Sequence, residues 1–409
     1  MSSGTPALSR TAWLVVALLW PVALLNYLDR QMLATMKTSM VSDIAGLTTE
    51  AQWGFVLASF KWVYAILSPI GGYIADRFSR RHVIVISLFS WSVVTWMTGH
   101  VDTYHGLVAT RALMGISEAF YIPAALALIT DFHLGRTRSR AVGIHQTGIY
   151  IGLILGGYAG YVADTPALGW RWAFDAAGIV GVIYAVPLLF FLRNAPRRST
   201  AALSSPPSLA AVGELLRNRN FILLVVYFTL PAIAGWVIKD WMPVILKNQF
   251  HLSQGEAGKI AVLYVQIASI AGAIVGGVLA DRWMRRSGRG RIYVSALGML
   301  LFLPALFGLG NPGTVLFAIL FLILFGIGWG FFDSNNMPIL SQITRPELRG
   351  TGYGLMNLVS ISCGGFGDWG FGALQDRGVS LSVIFGCFTG IALLSLVVVL
   401  MIRPSQNHE

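Results

Sequence analysis

Long apolar runs separated by short polar punctuation dominate this chain. Stretches near 12–36, 52–75, 82–100, 106–130, 139–163, 172–192, 221–246, 258–280, 291–310, 313–340, 350–374 and 379–402 are almost wholly apolar. Each approaches the roughly 20 residues that cross the hydrocarbon of a bilayer. In lipid the backbone must satisfy its own hydrogen bonds, which a helix does within one segment. The pattern therefore predicts an all-α integral membrane protein of twelve transmembrane helices in two pseudo-symmetric six-helix bundles. The longest polar interruption contains Pro196, Pro206, Pro207 and several arginines, the composition of a linker. The expected organisation is an amino-terminal bundle over 1–195, a linker over 196–220 and a carboxy-terminal bundle over 221–409.

Composition agrees with this class. The chain has 409 residues, 55% of them hydrophobic and only 11% charged, with a mean hydropathy of +0.67, too apolar for an ordinary soluble domain. The formal net charge of +11 invites a nucleic-acid reading. The arginines, however, fall in short inter-helical clusters such as Arg77, Arg80 and Arg81, or Arg282 to Arg291, which is what retention of positive loops in the cytoplasm produces. That rule places both termini inside, in a cell membrane of the bacterial inner-membrane kind. The first apolar stretch is longer than a removable signal peptide and lacks a small-residue cleavage site, so it is expected to be the first span. Cys363 and Cys387 both lie in apolar stretches, with no spacing that suggests a metal site or a disulfide framework. There is no HExxH, GxSxG or P-loop, so no enzyme activity, cofactor or metal is expected.

The chain also repeats itself. Gly71-Gly72-Tyr73-Ile74-Ala75-Asp76-Arg77-Phe78-Ser79-Arg80-Arg81 returns as Gly276-Gly277-Val278-Leu279-Ala280-Asp281-Arg282-Trp283-Met284-Arg285-Arg286. A weaker echo joins Arg138-Ser139-Arg140-Ala141-Val142-Gly143 to Leu348-Arg349-Gly350-Thr351-Gly352, each leading toward an acid, Asp164 or Asp376. Two matching halves suit a machine that rocks about a shared site. With Arg111-Ala112-Leu113-Met114-Gly115, these motifs resemble the major facilitator superfamily over the whole chain. The resemblance implies a secondary transporter working by alternating access. It also implies a cytoplasmic gate built from Gly72, Asp76, Arg77, Arg80, Arg81, Arg140, Gly277, Asp281 and Arg282.

Ionisable residues inside the apolar stretches are functional candidates, because they are costly there. One cluster of them comprises Asp29 and Arg30 in the first stretch, Lys61 in the second, Arg111 and Glu118 in the fourth, and Lys239 with Asp240 in the seventh. At 1.5 Å per residue, Arg30, Lys61, Arg111 and Lys239 are expected at similar depth, roughly 10–15 Å from the outer surface. Counted this way, cations outnumber acids, and an anionic ligand settles the imbalance. An arginine fork suits a carboxylate, which it binds through two parallel hydrogen bonds.

Asn26-Tyr27-Leu28-Asp29-Arg30 together with Arg111-Ala112 through Gly115 to Glu118-Ala119 narrows the resemblance to the organic anion:cation symporters of the hexuronate, galactonate and sialin type. Spinster-like lysolipid transporters are the second likeness. The first implies a carboxylate-binding role for Arg30 and proton coupling by Asp29 and Glu118. An acid whose cationic partner is captured by substrate is able to take up a proton, and Glu118 lies nearer the membrane centre. Tyr64, Trp236, His145, Gln146, Tyr150, Tyr264, Gln266, Asn335, Asn336, Asn357 and Ser360 add aromatic faces, amides and hydroxyls suited to a sugar-like cargo. The expectation is a monomeric, proton-coupled importer of a small organic anion, a sugar acid, working in the lipid bilayer without nucleic acid. The rivals are a spinster-like exporter of amphiphiles and a drug/proton antiporter. The antiporter usually has a proline in its fifth helix, where this chain reads Gly148 to Gly157 without one.

Overall fold

The computed structural model describes residues 6–133, 137–195, 209–345 and 348–403. Most of the expected linker lies outside the described residues, and of the expected gate residues Gly72 and Asp76 only the backbone is described. Among the described residues fifteen helices follow one another: α1 (Pro6–Thr35), α2 (Lys37–Asp43), α3 (Glu50–Arg77), α4 (Arg80–Thr98), α5 (Tyr104–Glu118), α6 (Tyr121–Phe132), α7 (Arg138–Asp164) and α8 (Gly169–Phe191), then α9 (Leu209–Arg217), α10 (Arg219–Phe250), α11 (Gln254–Met284), α12 (Gly290–Leu309), α13 (Val315–Ile343), α14 (Arg349–Asp376) and α15 (Leu381–Met401). Among the described residues the only extended pairing is an isolated bridge between Ala45 and Thr103.

Nine spans among these helices are long and apolar enough to cross a membrane. The more polar α4, α7 and α14, of 19, 27 and 28 residues, complete the twelve segments. Several helices start where a side chain satisfies an orphan backbone N–H. Thr103 accepts from Gly106, Thr314 from Phe317 and Asn218 from Asn220. The fourth apolar stretch is two helices, α5 and α6, interrupted at Ala119 and Phe120. Pro123 lies just beyond the interruption. It has no N–H for the carbonyl four residues earlier, at Ala119, and its ring crowds that carbonyl. The short helices α2 and α9 have no counterpart in the hydropathy pattern, because seven and nine residues are too few to register against spans of about 20.

The chain divides into two compact units. The first holds Met1–Leu47, Trp62–Pro206 and Ser253–Gly258, and the second holds Thr48–Lys61, Pro207–Leu252 and Lys259–Glu409. Helix α3 thus contributes its first turns to the second unit and the remainder to the first. In the first unit α1 runs along α7. Gly148, Gly152 and Gly156, four residues apart, place their bare Cα atoms against the backbone at Trp20, Leu24 and Leu28. Lipid supplies no hydrophobic drive between helices, so such close backbone approach supplies the van der Waals contact that holds them. In the second unit α12 packs on α13 and α15, and α10 on α14. Phe302 stacks on Phe325 at 4.7 Å, and Phe228 on Phe332 at 5.7 Å.

Candidate functional site

Each unit encloses one buried knot of opposite charges. In the first, Arg30 on α1 donates from Nε to Oε2 of Glu118 on α5 at 2.5 Å. A second guanidinium nitrogen reaches Asn26 one turn earlier at 3.3 Å. The guanidinium lies 4.8 Å from the ring centre of Tyr27 and 5.0 Å from that of Tyr64, close enough for the ring quadrupoles to stabilise the cation. Asp29 accepts a hydrogen bond of 3.0 Å from Thr95 and interacts electrostatically with Glu118, Arg30 and Arg111. Arg30, Asp29, Glu118 and Arg111 are all buried. Two acids therefore meet two guanidiniums away from water, where a pair persists only if its geometry repays desolvation.

The second unit gathers around Lys61. Its ammonium donates to Asp240 on α10 at 2.5 Å and also to Asp368 on α14. Trp236 offers its ring face to Lys61 at 4.3 Å and to Lys239 at 4.9 Å. Here the structure corrects the charge count made from sequence. Lys61 is a fully engaged ion-pair partner, and Asp368, absent from the candidate acids, balances it. Asp240 pairs with Lys61 and not with its chain neighbour Lys239. Lys61 and Arg30 belong to separate clusters, in separate units.

The other polar candidates divide by their surroundings. His145 is buried, with Nε2 2.9 Å from the Tyr121 hydroxyl, a bond that joins α7 to α6. Gln146, Tyr150, Trp236, Lys239, Tyr264, Gln266 and Asn357 are half-buried, and Ser360 is buried. Asn335 donates to its own helix at the Phe331 carbonyl, 2.9 Å away. Asn336 is buried with neither end of its amide hydrogen-bonded among the described residues.

At the arginine-rich helix ends, Arg80 pairs with Asp131 and bonds the Ala75 and Ala127 carbonyls. Arg81 bonds the Leu189 carbonyl, and Arg140 lies 5.7 Å from the Trp13 ring. Arg77, Asp281 and Arg282 are exposed, and at Gly277 a Cβ would meet open space. At the opposite ends the two acids of the weaker echo have matching tasks. Asp376 accepts the Glu50 and Ala51 N–H groups that open α3, both at 2.8 Å. Asp164 accepts the Gly255 N–H that opens α11, also at 2.8 Å. A carboxylate there caps orphan donors and complements the positive end of the helix.

Asp368, Thr95 and Asp131 join these contacts without standing out in the hydropathy pattern. Asp368 carried the clearest signal, a lone carboxylate within the glycine-rich run Gly364 to Gly372.

Residues 19–367 match the Major Facilitator Superfamily. Protein spinster of Drosophila melanogaster is 26% identical over 378 residues, which cover 88% of this chain and 61% of the relative, so the chain spans less than two thirds of that protein. The probable galactarate/D-glucarate transporter GarP of Escherichia coli K12 is 25% identical over 385 residues, covering 85% of this chain and 84% of the relative. Among solved structures, an inward-facing, unoccupied bacterial homolog of the human lysosomal transporter Spinster aligns with a TM-score of 0.78 at 18% identity, covering 98% of this chain and 95% of that one. A D-xylose-proton symporter aligns with a TM-score of 0.76 at 18% identity, covering 97% and 99%. At such identities the structural likeness speaks for the fold.

Proposed function

This chain belongs to the major facilitator superfamily of membrane transporters, and from that premise we infer that it moves a small organic anion, with a sugar acid as the leading class, together with a proton. The observation that carries this reading is the buried Arg30–Glu118 pair with Asp29 beside it. A substrate carboxylate competes with Glu118 for the Arg30 fork. Once Arg30 turns to the substrate, Glu118 is left as a buried charge without its partner. Breaking a buried pair in this way costs roughly 3–5 kcal/mol, or roughly two to four powers of ten in an equilibrium. A proton on Glu118 removes that cost. For each substrate carboxylate that the fork takes, one proton enters on Glu118, so within this cluster two acids against two guanidiniums stay in balance, and a second carboxylate on the cargo keeps its own charge. The likeness to a probable galactarate/D-glucarate transporter supports a polyhydroxylated acid as the cargo.

A second reading rests on a different feature. An apolar cavity of about 320 Å³ opens between α1, α7 and α8, lined by Leu25, Leu28, Met32, Leu155, Tyr158 and Trp172 among others. With the likeness to spinster proteins, this favours a lysolipid or another amphiphile, whose chain the groove accepts.

Purified protein in proteoliposomes separates the two. Under an inward proton gradient the first reading expects D-glucarate to accumulate above its external concentration and a protonophore to abolish the accumulation. Transport of lysophosphatidylcholine with no D-glucarate uptake would replace the first reading by the second.

A further inference from the structure

The acid of the first cluster has a counterpart in the other half. Gly115, Glu118 and Pro123 recur as Gly330, Asp333 and Pro338, each 215 positions later (115 to 330, 118 to 333, 123 to 338). Glu118 is buried on Arg30, but Asp333 has no ion pair or hydrogen bond among the described residues and its side chain is exposed.

The direction of that exposure is informative. On α13 the exposed Leu316, Phe317 and Leu320 mark the stripe that meets lipid. At 3.6 residues per turn, Asp333 points roughly 140° away from that stripe. An accessible carboxylate facing away from lipid lines a wet interior, the setting in which intramembrane acids are found. One turn further, Asn336 is buried with both amide atoms unbonded among the described residues. A buried amide without partners is costly unless a ligand or water completes it. Three residues apart, the two side chains share a flank of the helix.

We propose that Asp333 and Asn336 form a second polar site, in the carboxy-terminal half, that accepts hydrogen bonds from hydroxyl groups of the transported molecule and so sets its preference for polyhydroxylated cargo. An ionised carboxylate is a pure acceptor with two oxygens, and the amide both accepts and donates. Together they fit neighbouring hydroxyls on one carbon chain and give nothing to an unsubstituted one. The proposal rests on the organic-anion reading for its probes, but it assigns a different part of the cargo to a different residue pair.

The test compares D-glucarate with adipate, which has the same six-carbon chain and two carboxylates but no hydroxyls, in wild type, Asp333→Asn and Arg30→Ala. Replacing a charged acceptor by a neutral one is expected to raise KM for D-glucarate about five- to tenfold and to leave adipate unchanged. Arg30→Ala is expected to weaken both. If Asp333→Asn shifts both substrates alike, or neither, the proposal is overturned, and the Arg30 reading stands as long as Arg30→Ala still weakens both. If Arg30→Ala spares both while Asp333→Asn selectively weakens D-glucarate, the carboxylate reading fails and the hydroxyl site stands. Should Asp333→Asn not purify as a folded protein, Asn336→Leu is read in its place, with the same loss of preference expected. If wild type takes up neither acid, thermal stabilisation by galactitol decides: stabilisation lost in Asp333→Asn supports the site, and none in wild type overturns it.

Discussion

Lys61 on α3 is held by Asp368 on α14, although 307 positions separate them in the chain. The same ammonium also binds Asp240 on α10, so one cation pins α10 and α14 to the part of α3 that belongs to the second unit. Removing it leaves two buried carboxylates facing each other. Lys61→Met is therefore expected to destabilise the protein by roughly 3–5 kcal/mol, read as a large fall in the melting temperature of the detergent-solubilised protein. Asp240→Asn leaves a neutral Lys61–Asp368 pair and should cost much less. Equal losses in the two variants would show that Lys61 is not the centre of the knot.

That knot also marks how far the sequence could be read. Helix positions were legible because hydrophobic runs of span length have few alternatives in a bilayer. The Arg30, Asp29 and Glu118 candidates were legible because charges are few within their apolar stretches and costly there. What the pattern could not give is pairing. Lys239 and Asp240 are neighbours in the chain, but neighbours on a helix point about 100° apart, and Asp240 turns to Lys61. Asp368 stands among glycines, and nothing in that run records that Lys61, 307 positions away, closes on it. Likewise, the tasks of Asp164 and Asp376 depend on which helix opens beside each of them, and no spacing along one helix records that.

Glu118 is expected to separate cargo movement from proton movement. Glu118→Gln keeps the shape and a hydrogen-bond acceptor for Arg30 but cannot exchange a proton. Downhill counterflow of D-glucarate should persist, whereas accumulation under a proton gradient should fall to background. Retention of full gradient-driven accumulation would remove Glu118 from the coupling step.

Arg30 should not tolerate its usual conservative replacement. Its guanidinium engages Glu118 and Asn26 and sits near the rings of Tyr27 and Tyr64, contacts that need a planar fork. Arg30→Lys is expected to lose most D-glucarate transport, roughly tenfold or more in kcat/KM, the equivalent of one charged hydrogen bond. Near-normal transport by the lysine variant would mean that charge alone suffices there.

The capping carboxylates Asp164 and Asp376 make the same type of bond at the first turns of α11 and α3. Losing an N-cap costs about 0.5–2 kcal/mol. Asp376→Ala is expected to destabilise by that amount, and Asp164→Ala by a similar one. The two caps share no partner and lie in different units, so the double variant should lose the sum of the two within about 0.5 kcal/mol. A double variant no worse than either single one would reveal that the caps work as one device.

The seam between α1 and α7 gives the sharpest structural prediction, because its two outcomes lie on one helix. At Gly152 an added Cβ would run into the Leu24 carbonyl, which is backbone and cannot swing aside. The two helices would have to separate along the Gly148–Gly156 contact, and in lipid no hydrophobic drive compensates for the lost packing. Gly143 lies on the same helix with nothing within 4 Å of the equivalent position. Gly152→Val is therefore expected to abolish a monodisperse, transport-competent protein, whereas Gly143→Ala should match or slightly exceed wild type, since alanine favours the helix by about 1 kcal/mol over glycine. Size-exclusion profiles of the two variants decide between local packing and helix propensity as the reason for glycine here. If both behave like wild type, the α1–α7 approach is not what the glycines serve.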